Sequence, residues 1–149
     1  MIRLIGYGNP GRGDDGLGPA FAARMNDVPG LSVSTDYQLT VDHALLIAEA
    51  EKVVFVDALL YSEKPFEFGP ITPSTAHSVT SHSLSPAAVL ALSRTLFGAS
   101  PQAFVLGITG HEFGEVKEGL SAQAEENLRQ ALAFFDKWLK QSVKGYAHA

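Results

Sequence analysis

The stretch Gly6-Tyr7-Gly8-Asn9-Pro10-Gly11-Arg12-Gly13-Asp14-Asp15-Gly16-Leu17-Gly18-Pro19 constrains this chain most, because it joins an apolar run to a helical pattern through six glycines in fourteen positions. Glycine at that density marks backbone that takes left-handed angles or passes close to something else. Two adjacent aspartates then stand where the helix begins, so Asp14 or Asp15 is the natural N-cap. Leu17, Phe21 and Met25 fall on one helical face, and Pro19 is tolerated in the first turn.

The rest of the chain alternates. Residues 2–7 read as a short buried strand and Leu31–Asp36 as a second, with Asp42–Ala50 as a helix between the second and third strands. Lys52-Val53-Val54-Phe55-Val56-Asp57 sets four bulky apolar residues between charges, the pattern of a central parallel strand buried on both faces. Residues 58–84 carry Pro65, Pro70 and Pro73 and read as an irregular excursion, in which Phe66-Glu67-Phe68 fits one edge strand. Ser85 and Pro86 suit the cap and first position of a helix with Val89, Leu92 and Leu96 inward. Gln102–Thr109 is a further strand, and a last helix capped by Ser121 runs to about Gln141 with Ala124, Leu128, Leu132, Phe135 and Leu139 inward. The expectation is one α/β domain over residues 1–149, a three-layer αβα sandwich with a mostly parallel central sheet and room for one antiparallel edge strand.

A formal charge of −5, with 11 scattered basic residues, gives no footprint for nucleic acid or an anionic membrane surface. No apolar run approaches the roughly eighteen residues of a membrane span, and Met1–Gly6 is too short for a signal peptide. A soluble, cytoplasmic protein is expected. The absence of cysteine removes disulfides and thiolate chemistry, so any metal site must use histidine and carboxylate.

Ligands of open α/β sheets gather beyond the carboxyl ends of the strands. There the sequence places Asn9, Asp14 and Asp15, then Asp36 and Gln38, then Asp57, then His111 and Glu112, with His82 opening the helix before the fifth strand. Carboxylates with histidine and no thiolate suit a hard or borderline divalent metal. The same glycines also match G-x-G-x-x-G, with Asp36 where a ribose-binding acid would sit. Against a dinucleotide, the loop is too long and its helix N-terminus carries two acids that repel a pyrophosphate. His43, His77 and His148 read as helix surface, loop and tail. Phe134, Phe135 and Trp138 read as core, and Phe113 as an exposed contact.

Gly8-Asn9, Asp14-Asp15-Gly16-Leu17-Gly18, Val56-Asp57-Ala58, the His82 segment, Gly107-Ile108-Thr109-Gly110 and Glu118-Gly119-Leu120-Ser121 together resemble the hydrogenase maturation endopeptidases over nearly the whole chain. The resemblance implies a protease that removes the C-terminal extension of a nickel-iron hydrogenase large-subunit precursor after nickel insertion. It implies Asp15, Asp57 and His82 as metal-contacting residues, the first two also catalytic, with no tightly bound cofactor and with nickel supplied by the precursor. Asn9, Asp14, Asp36, Gln38, His111 and Glu112 remain candidates for substrate contact. Where many members have a glycine-rich aspartate motif, this chain has Asp36-Tyr37-Gln38-Leu39-Thr40, which resembles the subgroup acting on soluble bidirectional hydrogenases. A binding module that recognises a metal-loaded precursor without cutting it is the alternative from another class.

Overall fold

The computed structural model describes residues 1–74, 84–114 and 116–142. Five strands, β1 (Ile2–Tyr7), β2 (Leu31–Asp36), β3 (Lys52–Leu59), β4 (Phe66–Ile71) and β5 (Gln102–Thr109), form one sheet in the order β2-β1-β3-β5-β4. All neighbours are parallel except β4, which runs antiparallel to β5 at the edge. Helices α1 (Leu17–Arg24) and α4 (Ala122–Ser142) cover one face, and α2 (Asp42–Leu46) and α3 (Pro86–Phe97) the other. The expected three-layer α/β sandwich with an antiparallel edge strand is the observed architecture. Among the described residues no helix is long and apolar enough to cross a membrane.

Strand alternation divides the core. Leu4, Val54, Val56, Leu106 and Ile108 point toward α1 and α4, where they meet Leu17, Phe21, Leu128 and Phe135. Ile5, Val53 and Phe55 point toward α2 and α3, meeting Ala44, Ile47, Val89 and Leu90. By the same period Tyr7 and Asp57 also face the α2/α3 side, at the carboxyl end of the sheet. Phe134, Phe135 and Trp138 pack as expected, with Trp138 edge-on to Phe68 and Phe104 at ring separations of 5.4 and 5.1 Å.

Several boundaries differ from the sequence reading. The helix expected over Asp42–Ala50 stops at Leu46, and the chain then tightens through bonds from Ala48 to Leu45 and from Ala50 to Ile47, three residues apart. That turn delivers Glu51 N–H to the Met1 carbonyl, starting β3 beside β1. Asp57 does not end β3, which runs on to Leu59 against β5. Pairing with β1 stops at Gly6–Val56, so Asp57 lies where β3 has lost its neighbour on that side. Leu96 is 60% exposed rather than inward, because the last turn of α3 overhangs the core before Gly98 ends it in a left-handed conformation. Phe113 is half-buried against Gly110 rather than exposed.

Neither Asp14 nor Asp15 caps α1. A 3-10 turn, Gly13–Gly16, precedes the helix, whose cap position is Gly16 with no side-chain bond. Both acids are engaged elsewhere.

Candidate active site

The first loop is held in place from outside itself. Gly13 N–H donates to the Lys117 carbonyl at 2.5 Å, Asp14 N–H to the Glu112 carbonyl at 2.8 Å, and Lys117 N–H to the Gly11 carbonyl at 2.8 Å. Asp14 is wholly buried, and its carboxylate accepts from the N–H groups of His111, Glu112 and Ser121 and from the Ser121 hydroxyl, at 2.7–2.9 Å. Burial pushes its pKa up, yet the donors, Ser121 foremost, outweigh that and hold it below the usual carboxylate range. Both oxygens are occupied and neither meets solvent. Asp14 is therefore a brace between the loop and the start of α4, not a substrate contact.

Locking Asp14 aims its neighbour. Asp15 turns to the opposite side of the 3-10 turn, where Oδ2 accepts the Asn9 N–H at 2.8 Å. Gly8, at φ 142°, leaves the space that the Asp15 carbonyl fills; any side chain there would collide with it. Gly18 does the same for the helix, since an added Cβ would sit 2.5 Å from the carbonyls of Tyr7 and Val56. The glycines let the start of α1 rest directly on the ends of β1 and β3.

The result is a cleft of about 480 Å³ lined by Tyr7, Gly8, Asp15, Tyr37, Gln38, Leu39, Asp57, Leu84, Ser85 and Pro86. It lies at the reversal of strand order, the expected ligand site of such a sheet. Asp15 and Asp57 share it. Burial pushes the Asp57 carboxyl up to about 6, and the Asp15 charge adds to the rise, while the Ala58 N–H, donating at 2.7 Å, and the Tyr7 hydroxyl pull it back. The Tyr7 phenol is itself pushed strongly upward by burial and by the Asp57 charge, so it stays protonated. Two acids crowded at the mouth of a sheet suit a cation or a transferable proton.

Of the sequence candidates, Asp15, Asp57 and Gln38 line the cleft. His82, like His77 and His148, lies outside the described residues; Leu84, two positions after it in sequence, lines the cleft wall. Among the described residues no three His, Asp or Glu side chains form a metal-holding group, so the expected metal set rests on His82 joining the two acids. Asn9 uses its side-chain oxygen to accept the Gly11 N–H at 2.9 Å, shaping the loop, and lies outside the cleft lining. His111 and Glu112 fall outside it too: His111 Nε2 is 3.4 Å from Asn127, and Glu112 pairs with Lys117.

Asp36 borders a smaller groove of about 230 Å³, lined by Gly8, Pro10, Pro19, Thr35, Asp36 and Tyr37. Its carboxylate bonds His43 Nε2 at 3.0 Å, while Nδ1 accepts the Thr40 N–H at 2.9 Å. His43 is thus not on the helix surface but 4% exposed, a neutral ring with its proton on Nε2, tying the two ends of segment 36–40 together. Leu39 is buried between them, and its carbonyl accepts the Leu84 N–H at 3.0 Å.

Tyr7, Tyr37 and His43 were absent from the sequence candidates. Tyr7 carried a signal: a residue with a polar tip at the end of a buried strand, on the period-2 face of Ile5. His43 carried none, because pairing across seven residues follows from how β2 and α2 dock.

The loop also decides the phosphate question. The N–H groups of Asn9, Gly11, Arg12, Gly13, Asp14 and Asp15 are all spent within the protein, leaving no cradle for a pyrophosphate.

No protein-family model matches the chain, and no curated protein sequence matches it. Solved structures do. The hydrogenase maturating endopeptidase HybD from E. coli superposes with a TM-score of 0.77 at 18% identity, covering 95% of this chain and 93% of its own. The [NiFe] hydrogenase maturation protease HycI from Thermococcus kodakarensis gives 0.70 at 23% identity, covering 94% and 92%. A hydrogenase 2 maturation peptidase from a Thaumarchaeota archaeon gives 0.68 at 19%, covering 93% and 97%. The chain has the fold of these proteases over nearly its whole length.

Proposed function

We propose that this chain is a hydrogenase maturation endopeptidase that removes the C-terminal extension of a nickel-iron hydrogenase large-subunit precursor in the cytoplasm once nickel is in place. The observation that carries this reading is the meeting of Asp15 and Asp57 in one cleft at the strand-order reversal, with Asp57 raised to about 6, in a chain with this fold.

Nickel is part of the substrate. The two carboxylates, with His82, form an incomplete coordination shell that is too weak to retain a metal alone and closes only around a precursor that brings the ion and its own ligands. The negative pair is repulsive until a cation enters. An empty precursor gains nothing from it, which makes cleavage conditional on metal loading. Peptide hydrolysis then needs water to add to the scissile carbonyl carbon, a proton to leave that water, and a proton to reach the departing amine. An ionised carboxylate of the pair takes the first proton; at a pKa of about 6, Asp57 is suited to receive and return one near neutral pH. The metal and the carboxylates both have the chemistry to promote the attack.

Co-expression with a large-subunit precursor, following its mass on a gel, tests this. Cleavage is expected only in nickel-replete cells. Cleavage that persists under nickel starvation or in Asp15→Ala sinks nickel recognition, and stable co-purification of an uncut precursor with the wild-type protein would instead make it a binding module.

A further inference from the structure

The two edges of the sheet are unlike. β4 is blunted in the usual ways, with Pro70 lacking an N–H and Glu67 placing a charge on the strand. β2 is not: Leu31-Ser32-Val33-Ser34-Thr35 contains no proline and no charge before Asp36. Among the described residues its sole strand partner is β1.

The hydrogen bonds identify which groups that leaves. The Gly30 carbonyl accepts the Ile2 N–H at 3.3 Å and the Asp36 carbonyl accepts the Gly8 N–H at 3.0 Å. Even-numbered residues of β2 therefore turn their backbone groups to β1, and alternation turns those of Val33 and Thr35 outward. Leu31, also outward, donates its N–H to Val28 and closes the far end of the edge. The open end leads to the site. Thr35 lines the smaller groove, which shares Gly8 and Tyr37 with the cleft holding Asp15 and Asp57. Two strand spacings, about 10 Å, separate the β2 edge from β3, a span crossed by about three residues of extended chain.

We infer that the outer edge of β2 takes up an extended segment of the precursor tail, which pairs with the backbone of Val33 and Thr35 and passes through the groove to Asp15 and Asp57. The identity of the occupant rests on the protease reading above. A peptide in β conformation is the ligand whose donors and acceptors repeat at the spacing of this edge. Such pairing reads backbone rather than side chains, so it sets the path of the tail while the metal decides whether it is cut.

Thr35→Pro removes one outward N–H and leaves the ladder to β1 intact. It is expected to raise KM for the nickel-loaded precursor up to about 10-fold, the upper worth of one net hydrogen bond, with kcat within about 3-fold of wild type. An unchanged KM overturns the inference. Hydrogen exchange, with a synthetic peptide spanning the C-terminal tail of a large-subunit precursor, provides a readout without cleavage: the Val33 and Thr35 amides are expected to gain protection, and protection of neither overturns it. Protection that rises with protein concentration and needs no peptide marks a second copy on the edge and also overturns it. If Thr35→Pro does not fold, tail peptides N-methylated at single amides replace it. Binding is then lost at amides of one parity only, and equal tolerance at all positions refutes the pairing. A wild-type protein that protects Thr35 yet cuts no precursor removes the protease reading and leaves the peptide edge standing.

Discussion

The Ser121 hydroxyl donates to Asp14 Oδ2 at 2.7 Å while accepting the Ala124 N–H at 3.1 Å, so one side chain caps α4 and closes the shell around the buried acid of the first loop. Because Asp14 is saturated, its neighbour is the one that faces the cleft. The two aspartates look equivalent in sequence and are opposite in role, one structural and one available for chemistry.

Asp14→Ala is therefore expected to act on stability. Four donors lose their acceptor in a buried site, which costs on the order of 3 kcal/mol or more. At this size that lowers Tm by about 10 °C, measurable by circular dichroism. The wild-type contribution has a definite pH dependence. Since the folded pKa is lowered, the stabilisation is complete above the ordinary carboxylate pKa and is lost as pH falls through the folded value. Asp14→Asn flattens that acid limb; an unaltered limb would mean that another group carries it.

Asp15→Asn separates fold from function. The amide oxygen still accepts the Asn9 N–H, so Tm is expected within about 2 °C of wild type. Precursor processing is expected to fall at least about 100-fold, as for loss of a catalytic charge. A variant that processes normally would exclude Asp15 from the reaction.

Asp57 has the reverse relation to stability. Its folded pKa, about 6, lies above the ordinary carboxylate value, so the folded state holds a proton that the unfolded chain releases between about pH 4 and 6. Stability is lost as pH rises through that window. Asp57→Asn keeps an acceptor for the Ala58 N–H and removes the charge. It is expected to be the more stable protein above pH 6, by up to about 3 kcal/mol, with no advantage below about pH 4. Urea unfolding at several pH values checks this, alongside loss of processing. Equal stability at pH 7 would mean that the cleft does not strain this carboxylate.

Much of this was legible in the sequence, for identifiable reasons. The strand bounds of β1 and β5 follow from apolar runs and those of β2 from apolar–polar alternation, and the caps Ser85 and Ser121 follow from their position before amphipathic patterns. Asp15 and Asp57 stand out in the sequence because each comes after an apolar run, although β3 continues two residues past Asp57 and Asp15 lies in the turn beyond β1. What could not be read is which way each acid turns. Asp14 and Asp15 are separated by the backbone of a 3-10 turn and by donors from residues 111–121, 97 to 107 positions from Asp14. The burial of His43 is of the same kind, since it depends on an acceptor from the end of β2 and a donor from Thr40.

That histidine gives the last prediction. With Nδ1 accepting the Thr40 N–H and Nε2 bonded to Asp36, the ring is fixed as the Nε2–H tautomer, and nitrogen NMR at neutral pH is expected to find Nε2 protonated and Nδ1 bare. His43→Ala leaves a cavity and strands the Thr40 N–H, with an expected loss of about 2 kcal/mol. Its local effect is more telling than its size. Segment 36–40 carries Tyr37 and Gln38 into the cleft, so hydrogen exchange should quicken there while α1 and β5 stay protected. Uniform quickening across the sheet would instead make His43 an ordinary core residue, with no special hold on the cleft wall.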